Sequence, residues 1–173
     1  AKNTTGCENT ASGAYALNKN TTGCRNSGFG MYALYKTTGG KFNTAIGYQA
    51  MFDNTTGNHN VTVGQCTLHS NTTGENNVAI GNRVLIANTT ASNNTAIGRC
   101  SLISNTTGCE NTAIGNLALA TQTTAIRNTA VGQAALKNTL GSTNSALGYN
   151  ALCGNTTASN NTAIGRCSLI SNT

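Results

Sequence analysis

Apolar residues recur along this chain at a fixed interval of 17, not with the 3.6-residue period of a helix. The commonest block, Asn-Thr-Ala-Ile-Gly, stands at residues 43–47, 94–98, 111–115 and 161–165. Variants stand at 9–13, 26–30, 60–64, 77–81, 128–132 and 144–148. The one exception to the interval is a 16-residue step from Asn128 to Asn144. Each unit reads Asn-Thr-Thr-Gly-x-x-Asn-Thr-Ala-Ile-Gly-x-x-Ala-Leu-x-x, with positions numbered as columns one to seventeen. Column ten is Ile, Val, Leu or Phe, except for Ser12, and column fifteen is Leu in every copy except Met51. Column seven is Asn and column eleven is Gly in all ten copies, and column two reads as Thr in all ten, from Thr4 to Thr156. Columns five, six, twelve, thirteen, sixteen and seventeen vary and carry nearly all the charge, which marks them as solvent positions.

Seventeen residues are too few for the helix pairs of α-solenoid repeats, which take 30 or more. A coil of short strands fits instead. The Thr-Ala-Ile-Gly block and the Ala-Leu-x segment each read as a short strand, and Asn-Thr-Thr-Gly supplies a turn. The column-eleven Gly marks a corner that needs positive φ, or a close backbone approach. The expected fold is therefore all-β: a parallel β-solenoid (β-roll) of about ten 17-residue coils forming one array over residues 1–173. Coils ~4.8 Å apart give a rod ~48 Å long. Residues 88–106 and 155–173 are identical and the last unit is incomplete, so the stretch is expected to belong to a longer repeat protein.

Stacking places like side chains in ladders. The Asn of column seven suits an amide ladder, and the Thr of column two suits turn backbone groups. Strand parity is expected to send columns ten and fifteen inward, with column eight beside them. Such a core is thin. Two aliphatic side chains contribute ~3–6 kcal/mol per coil, against ~1–2 kcal/mol per residue for ordering the backbone. Burial between chains would help. Columns nine and fourteen stay small and by the same parity point outward. Ala79, Ala96, Ala113 and Ala118 are therefore candidates for packing against a neighbouring chain, the competing explanation being a tight corner within one coil.

Composition narrows the function. Charged residues make up 8% and aromatics 5%, with no Pro or Trp, and the net charge is +6. The ten Lys and Arg are scattered instead of clustered among aromatic platforms, so no nucleic-acid partner is expected. No run approaches the ~20 apolar residues of a membrane helix, so no membrane insertion is expected. His59 and His69 fall in different columns, and Glu8, Asp53, Glu75 and Glu110 are isolated. No acid–base pair, metal set or phosphate loop stands out, which points away from an enzyme and from any cofactor.

The seven cysteines lie in variable columns: Cys7, Cys24 and Cys109 in column five, Cys66, Cys100 and Cys167 in column thirteen, and Cys153 in column sixteen. Stacked Cys7 and Cys24 would have Cα atoms ~4.8 Å apart, within disulfide range. Cys100 and Cys109 form a second candidate pair across adjacent coils. Surface cysteine at this density suggests an oxidising, extracellular setting. Ten Asn-x-Ser/Thr acceptors occur. Seven come from column one, namely Asn3, Asn20, Asn54, Asn71, Asn88, Asn105 and Asn155, and the others are Asn60, Asn93 and Asn160. All are candidates for N-glycosylation.

The repeated Asn-x-Ala-x-Gly followed by x-x-Ala-Leu, as in Asn94-Thr95-Ala96-Ile97-Gly98 and Asn111-Thr112-Ala113-Ile114-Gly115, resembles the head repeats of trimeric autotransporter adhesins. It is also similar to Asn-Thr-Ala-rich repeats of phage tail-fibre-like proteins. Adhesin heads repeat at about 14 residues, and this unit departs from them by an inserted Asn-Thr-Thr-Gly turn. The resemblance implies a left-handed parallel β-roll, three chains around one axis, and an elongated surface structure used for attachment. The expected function is a structural segment of an extracellular fibre or surface filament on a cell or virion, with adhesion as a candidate role. Its partner would be itself, as a homotrimer or homopolymer, with a surface glycan or receptor as the further candidate. The alternative is an ice-binding solenoid presenting Thr and Asn ladders.

Overall fold

A computed structural model describes residues 2–171. Each repeat contributes one three-residue strand, from β1 (Thr10–Ser12) to β10 (Thr162–Ile164), and the ten form one parallel sheet in sequence order. Like columns pair throughout: Thr95, Ala96 and Ile97 lie opposite Thr112, Ala113 and Ile114. The chain is thus an all-β parallel solenoid with one coil per 17-residue repeat, as the periodicity predicts.

The 16-residue step leaves the sheet in register, because Thr129, Ala130 and Val131 still pair with Ser145, Ala146 and Leu147. The turn before the strand absorbs the missing residue. Thr139 is buried, and its Oγ1 accepts from Asn155 Nδ2 at 3.3 Å, so it stands in column one. Leu140 takes column two, donating its N–H to the Thr156 carbonyl. Column two is therefore Thr in nine coils, not ten.

The Ala-Leu segment is not a second strand. Columns thirteen and fifteen both lie in the left-handed region, as Cys100 (φ 57°) and Leu102 (φ 48°) do, and column six joins them, as at Asn93 (φ 61°). Left-handed backbone costs a non-glycine residue roughly 1–2 kcal/mol. The solenoid holds it because each such residue turns its N–H along the rod axis. Asn93 N–H donates back to the Glu75 carbonyl, Cys100 N–H back to Asn82, and Leu102 N–H forward to Ala118. A buried amide must find an acceptor, and here the neighbouring coils supply it. Column eleven has φ between 115° and 138° in every copy. A Cβ on Gly30 would stand 2.7 Å from the Gly47 carbonyl oxygen. Both reasons for glycine apply at once.

Strand parity is the reverse of expectation. Column nine points inward, and column ten points out. Ala79, Ala96, Ala113 and Ala118 are 0% exposed within their own chain, so they form part of the core and no neighbouring chain can pack on them. Their smallness comes from a narrow coil interior, in which one large side chain per coil leaves room only for small neighbours, Thr62, Thr67 and Val84 being the largest. The large side chain is column fifteen, inward as expected: Leu34, Met51, Leu68, Leu85, Leu102, Leu119, Leu136 and Leu152 are fully buried. Columns one and seven complete the interior with amides. Column eight is at least partly exposed instead of lining the core.

Candidate functional site

With column nine turned in, columns eight and ten face outward from the sheet. Column ten makes an axial apolar stripe of Phe29, Ile46, Val63, Ile80, Ile97, Ile114, Val131, Leu147 and Ile164. Ile46 is 42% and Ile114 38% exposed, although both belong to strands paired on both sides within the sheet. Near the last coils the stripe dips into a shallow apolar groove of about 190 Å³ lined by Thr129, Val131, Ser145, Leu147, Thr162 and Ile164.

Two amide ladders stiffen the wall behind this face. In column seven, each Asn Oδ1 accepts the backbone N–H of the next coil's Asn, at 2.9 to 3.0 Å from Asn26 to Asn161. Each Nδ2 from Asn9 to Asn144 also reaches the column-four carbonyl of the following coil, as Asn94 does to Gly108 at 2.9 Å. The all-Asn column is thus the ladder its composition suggests. Column one forms a second ladder that was not anticipated. Asn71, Asn88 and Asn105 each donate to the Oδ1 one coil before, and each also donates to its own column-four carbonyl. The signal was present in the recurrence of Asn in that column. Thr37 interrupts the ladder, leaving Asn20 Oδ1 and Thr37 Oγ1 buried without partners.

This ladder bears directly on glycosylation. The side-chain nitrogens of Asn20, Asn54, Asn71, Asn88, Asn105 and Asn155 are buried and hydrogen-bonded, so they cannot carry a sugar in the folded coil. Asn60, in column seven, is buried too. Exposed acceptors remain at Asn3, Asn93 and Asn160. Threonine hydroxyls of column two are turned onto the next coil's carbonyl, as Thr21 Oγ1 is to Thr38 at 3.0 Å, and do not form an outward rank.

Cysteines separate into different environments. Cys7 and Cys24 are brought together, with Sγ atoms 2.7 Å apart as free thiols. Cys24 Sγ accepts both the Cys7 thiol proton and the Cys7 backbone N–H, the latter at 3.1 Å. These bonds hold the Cys24 thiol below and the Cys7 thiol above the usual range. No contact joins Cys100 to Cys109. Cys100 is buried, against the expectation of a surface position, and Cys109 instead accepts the Ser92 N–H at 3.3 Å. Burial pushes the Cys66 thiol up.

Charged and aromatic groups of the variable columns stack on one another. Glu8 meets Arg25 at 2.8 Å and Glu110 meets Arg127 at 2.9 Å, both pairs in column six. The Arg25 hydrogen bond and charge hold the Glu8 carboxyl below its ordinary range. Tyr15 and Tyr32 stack at 5.1 Å, Tyr35, Phe52 and His69 stack in turn, and Lys36 pairs with Asp53 at 2.7 Å. His59 stacks on Phe42, away from His69. Among the described residues no three His, Cys, Asp or Glu side chains converge. Compared with family models, curated proteins and solved structures, the chain gives no match.

Proposed function

We propose that this chain is a structural rod segment of an extracellular fibre or surface filament, built by side-by-side association of copies of itself. The observation that carries the proposal is the outward apolar stripe of column ten. A ten-coil stripe one strand wide covers roughly 48 Å by 10 Å, about 480 Å². That lies within the range of the largest apolar patches on monomers, which are often functional. Its chemistry repeats every coil, and the partner that matches such a rise is another copy of the same ladder. Each further coil would add about 48 Å², so an array of about 17 coils reaches the ~800 Å² per partner of a standard interface. Three-chain packing of the adhesin-head kind is one closed form of this association, and attachment to a glycan or receptor belongs to the same reading.

The test is oligomer size by light scattering across a concentration series. Ile97→Lys with Ile114→Lys should lower the assembly to monomer, whereas Asn82→Lys with Asn116→Lys in column twelve should leave it assembled. A native chain that stays monomeric at all concentrations, or equal behaviour of the two variants, would refute the proposal.

A further inference from the structure

Where column five is Asn, Ser or Cys, its side chain takes on a backbone task. Its side chain receives the N–H of the preceding coil's column five: Lys41 donates to Asn58 Oδ1, Glu75 to Ser92 Oγ, Ile126 to Ser142 Oγ and Ser142 to Ser159 Oγ. Cys24 and Cys109 fill the same role with sulfur, accepting from Cys7 and Ser92. Cys109 has Ser92 and Ile126 as its column neighbours and therefore no thiol to meet. Cys24 does have one. Cys7 stands directly beneath it, exposed, with its sulfur against the Cys24 sulfur.

We propose that Cys7 and Cys24 form an oxidisable pair that takes a disulfide from a low-molecular-weight disulfide donor, with Cys24 as the attacking sulfur and Cys7 as the resolving one. The assignment follows from geometry. Cys24 Sγ accepts the Cys7 backbone N–H at 3.1 Å, a fixed donor that stabilises a thiolate, and it faces the Cys7 sulfur, with the Thr22 carbonyl farther off at 3.5 Å. Cys7 Sγ receives no backbone N–H among the described residues, so of the two sulfurs it is the one that keeps its proton. The lowered Cys24 thiol, beside Lys41, agrees with this order.

In the first step, the Cys24 thiolate attacks one sulfur of R–S–S–R, forming Cys24–S–S–R and releasing R–S⁻. The Cys7 proton passes to that released thiolate. The Cys7 thiolate then attacks the Cys24 sulfur, closing Cys7–S–S–Cys24 and expelling the second R–S⁻, which takes a proton from water. Two protein thiols are oxidised and one donor disulfide is reduced to two thiols. The product links adjacent coils along the rod axis. Under tension it withholds the segment between residues 7 and 24 from extension, ~58 Å of chain at ~3.4 Å per residue.

The fully reduced chain is equilibrated with oxidised glutathione, denatured and titrated for thiols. The native chain should fall from seven thiols to five. Trypsin should release residues 3–19 linked to residues 20–25. Cys7→Ser should stop at one glutathione on Cys24, and Cys24→Ser should leave Cys7 reacting more slowly than Cys24 does in the reciprocal variant. Serine keeps the column's acceptor role, as Ser92 and Ser142 do, so both variants retain the coil. In force extension the oxidised chain should be shorter by ~58 Å. Seven free thiols at equilibrium, or glutathione distributed equally over Cys24 and Cys109, would overturn the proposal. Equal rates for the two Ser variants would overturn the assignment of roles.

Discussion

The column-seven ladder gives the largest single-residue effect that can be worked out from geometry. Replacing Asn94 by Ala removes four hydrogen bonds: Nδ2 to Asn77 Oδ1 at 3.3 Å, Nδ2 to the Gly108 carbonyl at 2.9 Å, and the Asn111 N–H and Nδ2 onto Asn94 Oδ1 at 3.0 and 3.1 Å. At about 1 kcal/mol net per bond the loss is ~4 kcal/mol. It is not softened by water, because Asn77, Asn94 and Asn111 are all 0% exposed. The Asn111 backbone N–H would be left buried and unpaired, which is the costly form of deletion, whereas the Gly108 carbonyl keeps its bond from Asn105 Nδ2. The matched control is Asn116→Ala, which removes one exposed bond to the Arg99 carbonyl and should cost less than ~0.5 kcal/mol. Urea unfolding followed by far-ultraviolet circular dichroism compares the two. Because repeat arrays couple mainly through nearest neighbours, hydrogen exchange should also show protection lost first at the Asn111 amide. Equal urea midpoints for the two variants, or an Asn111 amide that exchanges as slowly as before, would refute the ladder energetics.

Other perturbations test the remaining parts of the coil. Thr37→Asn should stabilise the chain by about 1–3 kcal/mol in the same titration, since it gives Asn20 Oδ1 a donor and joins the two halves of the column-one ladder. Gly165→Ala, with open space around its Cβ but φ at +119°, should cost ~1–3 kcal/mol from backbone strain alone. Gly98→Ala adds a clash 2.7 Å from Gly115 and should cost more, so equal midpoints would count against the close coil approach. The Glu8 carboxyl, held down by Arg25, contributes stability that is present above the unfolded carboxylate pKa and lost as pH falls through the lower folded one. Nuclear magnetic resonance titration should place Glu8 below ordinary glutamate, and Arg25→Gln should move it back up.

The repeat, its 17-residue coil, the parallel register, the Asn ladder and the column-eleven corner were all legible in the sequence, because each leaves a residue type that little else explains. The left-handed residues were not. Positive φ in a sequence is read from Gly and Asn, yet column fifteen puts Leu34, Leu85 and Leu102 there, at 53°, 48° and 48°. Leu is retained because it is the one large side chain the narrow interior holds, and packing overrides its backbone preference. The same override concealed the absence of a second strand. The role of column one was missed for a different reason: Asn-Thr-Thr reads equally well as a glycosylation acceptor and as a turn, and only burial distinguishes the two.

The parity error has a single cause with consequences for assembly. In an ordinary half-buried strand the larger residue of an alternating pair goes inward, because burying it gains more. That rule assumes an interior with room for it. In this coil the strand faces a turn segment that already delivers a Leu to the same space, with Leu17 and Leu34 within 3.6 Å of where a Gly28 Cβ would sit. A second large side chain from column ten would overfill it, and overpacking costs 1–3 kcal/mol or more. Ala in column nine fits, so the strand turns its Ile out. The apolar column left on the surface is then a direct result of the coil's narrowness. A thin solenoid that fills itself with Leu, Ala and Asn must present its remaining Ile outward, and the burial that this Ile lacks within one chain is what a neighbouring chain can supply.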